Sequence, residues 1–257
     1  MKISIRNSYL FKLVFALLFV CGLAHANDQS VTGNAMKSAK TSEEEPSINT
    51  SLSAYIRWSE LEVDPAHMEG FRALGNENVR ETRRNDPGVL AFYWAGEKDH
   101  PNRIRVLEVY ANENAYKAHL ASAHYKKFRD GSRPLLKRHT LFEAVPLILG
   151  AKPQLPPPTV VVRMAEIEID TAQFDAYRAL VTEEIEASIR LEPGVFAIYA
   201  LALKDHPNQL RFFEIYADES AYLNHRNTPH FQKYLNETKG MIVTRDLVET
   251  SPGSLAY

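Results

Sequence analysis

Histidines recur in matched pairs along this chain, and they are where chemistry would begin. His119 and His225 each follow an alanine by four residues (Ala115, Ala221) and a tyrosine by three (Tyr116, Tyr222). On a helix that spacing puts all three side chains on one face, expected to look toward a sheet. Histidine titrates near neutrality, which suits a general base or a proton shuttle. The alternative is a half-buried histidine packed for structure. His124 and His230 open a second helical piece and could touch a ligand or only the chain turn. Glu108 and Glu214 lie two residues before Tyr110 and Tyr216, so each pair shares a strand face. A carboxylate there could orient a histidine, accept a proton, or pair with Arg105 or Arg211. Glu60 and Glu166 continue an apolar first strand toward an expected pocket, and Tyr93 and Tyr199 lie mid-strand, either lining a cavity or filling the core.

These residues come in twos because the chain is duplicated. Asp86-Pro87-Gly88-Val89 returns as Glu192-Pro193-Gly194-Val195, and Lys98-Asp99-His100-Pro101-Asn102 returns as Lys204-Asp205-His206-Pro207-Asn208. Both are offset by 106 positions, and the same offset aligns Arg57 with Arg163 and every pair above. A fixed offset of this kind marks a repeated structural unit. Residues 160–169 alternate as a strand; from Asp170, a good N-cap, Phe174, Tyr177, Val181, Ile185 and Ile189 recur at helical spacing until Glu192-Pro193-Gly194. Runs 195–203 and 210–216 form a hairpin across 204–208. Asp218 caps a further helix, Thr228-Pro229 restarts it, and 241–248 closes the unit. The order is β-α-β-β-α-β, the split unit of ferredoxin-like α+β folds.

Such a module carries both helices on one face of its sheet and leaves the other bare. Val160, Val162 and Met164 make that face apolar here, with Ile167 and Ile169 continuing the strand. An exposed patch of this size is costly in water, so two modules, 53–148 and 159–251, are expected to pack bare face to bare face. A Pro-rich linker, 149–158, joins them.

The ends bound the setting. Residues 1–26 read as a signal peptide: Lys2, Arg6 and Lys12, an apolar run over 13–23, then Ala24-His25-Ala26. The run is shorter than the ~20 residues that span a bilayer, so no stable membrane insertion is expected after cleavage. The expected location is the periplasm or outside the cell. Cys21, the only cysteine, raises a lipoprotein alternative that bulky Val20 disfavours. Without a cysteine the mature chain can have no disulfide, thiol nucleophile or cysteine metal site. Removing three cations from 30 leaves 27 against 32 acidic residues, a net charge of −5. That argues against a nucleic-acid partner. Residues 27–52 are polar and read as a flexible leader.

The first strand Arg163-Met164-Ala165-Glu166-Ile167-Glu168-Ile169, the Glu-Pro-Gly-Val turn, the Asp-His-Pro-Asn hairpin and the run from Phe213 to Phe231 resemble the antibiotic biosynthesis monooxygenase family. The resemblance covers both modules. It implies a dimeric α+β barrel, formed here within one chain, with a ligand pocket between sheet and helices in each half. Several members oxidise quinols or polycyclic phenols with dioxygen and no cofactor, whereas others process signalling sugars or degrade haem. The haem reading departs from the family pattern, because Tyr110 and Tyr216 stand at the tryptophan position and Ser59 and Ala165 at the asparagine position. No metal site is expected, since no histidine–carboxylate pair has ligand spacing on one helix. Neither a phosphate loop nor a G-x-S-x-G element occurs.

The leading expectation is a cofactor-independent monooxygenase acting on a small aromatic or quinol-like substrate and dioxygen, with His119 and His225 as bases. The alternative is a non-catalytic small-ligand-binding or stress-response protein on the same frame. Further self-association is left open. The halves differ where Trp58 matches Met164, Trp94 matches Ala200 and Gly75 matches Val181.

Overall fold

The computed structural model describes residues 48–49, 54–154, 156 and 159–250. The expected signal peptide, most of the leader and part of the linker lie outside them. The first half runs β2 (Tyr55–Val63), α1 (Met68–Asn85), β3 (Val89–Gly96), β4 (Arg103–Tyr110), α2 (Glu113–Ala121), α3 (Ala123–Ser132) and β5 (Leu136–Ala151). The second repeats this order as β6 (Val161–Ile169), α4 (Phe174–Leu191), β7 (Val195–Leu203), β8 (His206–Tyr216), α5 (Glu219–His225), α6 (Pro229–Thr238) and β9 (Ile242–Glu249). A short strand β1 (Ile48–Asn49) pairs with β5, so the leader read as flexible contributes a strand at its end. His206 and Pro207 already belong to β8, which shortens the second hairpin turn below the expected 204–208.

All pairings are antiparallel, in the order β3-β4-β2-β5-β7-β8-β6-β9. Trp58 sits opposite Leu107, and Met164 opposite Phe213, the same register one repeat apart. The two ferredoxin-like sheets are therefore joined by one strand. β5 pairs with β2 as far as Ala144 and from Ala144 onward with β7. Its strand character runs through Ala151, beyond the start expected for the linker. The other two edges, β3 and β9, meet through a bridge between Glu97 and Thr250, the bond from Lys98 N to Glu249 O at 2.8 Å and the Lys98–Glu249 ion pair at 2.9 Å. The sheet is not closed there into a full barrel.

Three cores follow from this layering. Between the sheets, Ile56, Trp58, Leu107, Val162, Met164 and Phe213 pack into one cluster, as the bare-face argument requires. Tyr93 stacks on Phe213 at 5.7 Å and meets Tyr199 at 6.0 Å. Both tyrosines thus pack in this seam and line neither of the two cavities between sheet and helices. Ile167 and Ile169 join the core under α4 instead of the seam, with Tyr177 and Val181. Along β6 the alternation sends 162, 164 and 166 inward and 165, 167 and 169 toward the helices. Leu61, Phe71, Phe92 and Trp94 form the matching core under α1.

Glu60 and Glu166 follow the inward positions. Arg105 binds Glu166 with its Nε at 3.1 Å, and Arg211 approaches Glu60 at 3.4 Å and Glu166 at 3.6 Å. That placement makes these two glutamates ion-pair partners of Arg105 and Arg211, and they line neither of those two cavities. No helix among the described residues is long and apolar enough to cross a membrane.

Candidate functional site

The Pro-Gly turn after each long helix creates the site. Asp86 ends α1 and Glu192 ends α4. A Cβ built on Gly88 would lie 2.5 Å from the Ala115 Cβ, and one on Gly194 2.5 Å from the Ala221 Cβ. Only glycine permits this approach, and it brings the acid at the helix end against the helix that carries the histidine. Asn112 and Asp218 cap that helix by accepting from the N–H groups of Ala115 and Ala221. Ser122 and Thr228 then break it and cap the next helix. The break turns the second histidine back toward the first.

The result is a carboxylate shared by two imidazoles, built twice. Asp86 Oδ2 lies 2.7 Å from His119 Nδ1 and 3.0 Å from His124 Nε2. Glu192 Oε1 lies 2.9 Å from His225 Nδ1 and 2.7 Å from His230 Nε2. Beside each cluster a strand carboxylate accepts a bond from its own strand face: Tyr110 Oη donates to Glu108 at 2.6 Å, and Tyr216 Oη to Glu214 at 2.7 Å. The expected face-sharing therefore appears as a hydrogen bond, and both tyrosines are fully buried.

Two cavities lie between sheet and helices. The first, of about 370 Å³, is walled by Phe71, Phe92, Trp94, Tyr116, Tyr125 and Phe128, with Glu108 on its floor. The second, of about 310 Å³, is lined by Glu184, Glu214, His225, Tyr222, Phe231 and Tyr234. Glu108, Glu214 and His225 thus stand where a ligand would sit. His119 does not line the first cavity. It is 1% exposed, packed edge-on against Phe92 and beside Tyr125, and its Nε2 has no hydrogen-bond partner. His124 and His230 lie on the outer side of the shared carboxylate, partly open to solvent, and line neither cavity.

Burial sets the charge of these groups. It pushes the carboxyls of Glu108 and Glu214 above the usual range, against the hydrogen bonds from their tyrosines and the nearby histidines. Glu184, 5% exposed, is pushed up to about 7 by burial, although His225 and the Ser188 hydroxyl, 2.7 Å away, favour its anion. For His225 burial opposes the imidazolium, but the carboxylates of Glu192, Glu184 and Glu214 outweigh it and raise the pKa. Burial also opposes the Glu192 anion; bonds from His225 and His230 nevertheless hold its carboxyl below the usual value.

Sequence reasoning missed Asp86, Glu192 and Glu184. The first two were read only as helix stops, although both repeats carry an acid before Pro-Gly. Glu184 has Asn78 as its counterpart, a difference that alignment of the halves displays. No single helix carries ligands at metal spacing, yet the folded chain gathers Asp86, His119 and His124, and Glu184, His225 and His230, with donor atoms within 4.8 Å of one another. At 2.7–3.0 Å the shared-carboxylate contacts are hydrogen bonds, so we read both groups as proton-sharing clusters.

The sequence profile of the family described as antibiotic biosynthesis monooxygenase matches residues 55–131 and 160–237, one match per module. The chain belongs to the antibiotic biosynthesis monooxygenase family. Among solved structures, a candidate monooxygenase from Lactobacillus acidophilus NCFM superposes with a TM-score of 0.75 at 23% identity, covering 79% of this chain and 96% of the other. Another from Fusobacterium nucleatum gives 0.72 at 18% identity, covering 80% and 95%. At these identities the likeness establishes the shared fold, including both halves together. No curated protein matches the sequence.

Proposed function

We propose that this family member is a cofactor-independent monooxygenase that oxidises a small hydroquinone or phenolic compound with dioxygen, in cavities between sheet and helices. One observation carries the reading: in each half a carboxylate with raised proton affinity, Glu108 or Glu214, faces a cavity lined by aromatic rings. Volumes of about 370 and 310 Å³ lie at the lower end for small-molecule sites, roughly 300–1,000 Å³. Apolar walls favour a flat ring system, and removal of a phenolic proton there leaves an electron-rich anion able to reduce dioxygen. For a hydroquinone the balance closes without another reductant. The ring C–H becomes C–OH, the hydroquinone becomes the quinone, and the second oxygen atom leaves as water. His225, on the wall of the second cavity, and His119, behind the wall of the first, serve in this reading as proton shuttles.

The test is oxygen uptake by EDTA-treated protein over a panel of hydroquinones. Wild type should consume oxygen, and the double variant His119→Ala/His225→Ala should lose at least about a hundred-fold in rate. Stabilisation of the protein by the same compounds under argon, with no uptake when oxygen is admitted, would favour the non-catalytic binding reading instead. The first 26 residues support delivery to the periplasm or beyond, which fractionation of expressing cells would check.

A further inference from the structure

The two cavities share a frame but not a proton path. His225 lies between two acids: its Nδ1 is 2.9 Å from Glu192 Oε1, and its Nε2 is 3.8 Å from Glu184 Oε1. Glu184 lines the second cavity, and His230 Nε2, on the same Glu192 oxygen at 2.7 Å, belongs to a side chain 15% exposed. Cavity and solvent are thus joined by a row of ionisable groups whose longest step is the 3.8 Å between His225 Nε2 and Glu184 Oε1. In the first half the row is cut. Asn78 replaces Glu184, its Oδ1 is buried without a hydrogen-bond partner, and His119 Nε2 has none either.

We propose that the second cavity is the proton-handling one, with Glu184 as the base that takes the substrate's proton and His225, Glu192 and His230 as its exit to water. The proposal rests on the monooxygenase reading above and adds which half works and through which residue. One proton moves from the substrate hydroxyl to Glu184. Glu184 passes it to His225 Nε2 once the 3.8 Å between them shortens to a hydrogen bond, as the Nδ1 proton goes to Glu192; Glu192 then hands a proton to His230 Nε2 as the proton on His230 Nδ1 leaves to solvent. No electron moves in this step. The charged groups facing the row are Glu214 from β8, Arg163 from β6, Arg245 and Glu249 from β9, and Arg226 at the end of α5, besides its own members. The proton affinity of Glu184, raised to about 7, suits a base working near neutrality.

The test combines turnover with histidine NMR on the full, EDTA-treated protein. Glu184→Gln should lower kcat by about a hundred-fold with KM changed less than about two-fold, and should remove the acid limb of the pH–rate profile. His230→Gln, a partly exposed change that leaves the cavity intact, should lower kcat roughly ten-fold and be rescued by added imidazole. By NMR, His225 should titrate in wild type together with Glu184 and at lower pH in Glu184→Gln, whereas His119 should be unmoved. An unchanged kcat in Glu184→Gln, or a His225 titration indifferent to it, overturns the proposal. Wild type that consumes no oxygen with any hydroquinone sinks the monooxygenase reading, and the NMR coupling alone then decides whether the relay exists.

Discussion

The halves agree in everything that holds the chain and differ in what the chain surrounds. Caps, the Pro-Gly turns, the shared-carboxylate histidines and the Glu–Tyr bond recur at the 106-residue offset. The cavity walls do not. Gly75 lies under the Trp94 ring in the first half, where the second half has Val181 and Ala200, so the bulk stands on the strand in one half and on the helix in the other. Asn78 opposes Glu184, His139 opposes Arg245, and Tyr125 opposes Phe231. One scaffold therefore surrounds two differently lined chambers, the first with Trp94 and Asn78, the second with Glu184 and Arg245. Frame and lining answer to different constraints, because a cap or a close glycine has few substitutes whereas a cavity wall tolerates any side chain that fits.

The largest effect should come from the seam. Phe213→Ala removes a fully buried ring that touches both halves and should cost about 3–5 kcal/mol. Because the seam belongs to both, chemical denaturation should remain one transition; two separate transitions would mean the halves fold independently. Next comes pH. Folding raises the Glu184 carboxyl from 4.5 to about 7, so between those values the folded protein keeps a proton that the unfolded chain has lost. Stability therefore falls as pH rises through this window, by about 3 kcal/mol at most. His225, also raised, acts in the same direction above its ordinary 6.5, while Glu192, held low, loses its contribution only as pH falls below its usual range. Urea midpoints from pH 5 to 8 should drop more for wild type than for Glu184→Gln, and parallel curves would refute this charge assignment. The smallest effect tests the volume exchange. Gly75→Val alone should destabilise by about 1–3 kcal/mol. Trp94→Ala alone empties a buried site, and the double variant should lose less than the two single losses summed; strict additivity would count against the exchange.

How far the sequence carries depends on distance along the chain. The repeat, the caps at Asp218 and Thr228, and the shared face of Glu108 and Tyr110 are local patterns, and each appears as expected. The helix face of His119 and His225 was also legible, since both are buried against the sheet. Alternation gives the period of a strand but not which face is which. That is why Ile167 and Ile169 went to the helices, and why Tyr93, Tyr199, Glu60 and Glu166 turned to the seam. The partnership of Asp86 with His119 spans 33 residues and exists only because Gly88 lets two elements nearly touch. No local pattern encodes it.

One strand has a consequence for how the molecule could be taken apart. β5 is 16 residues long and lies beside β2 for its first part and beside β7 for its last. The covalent tether after it is then not what keeps the modules together. A chain severed between residues 152 and 160 should still reassemble from its two pieces, whereas severing at Ala144 would leave each piece without the ladder that recognises the other.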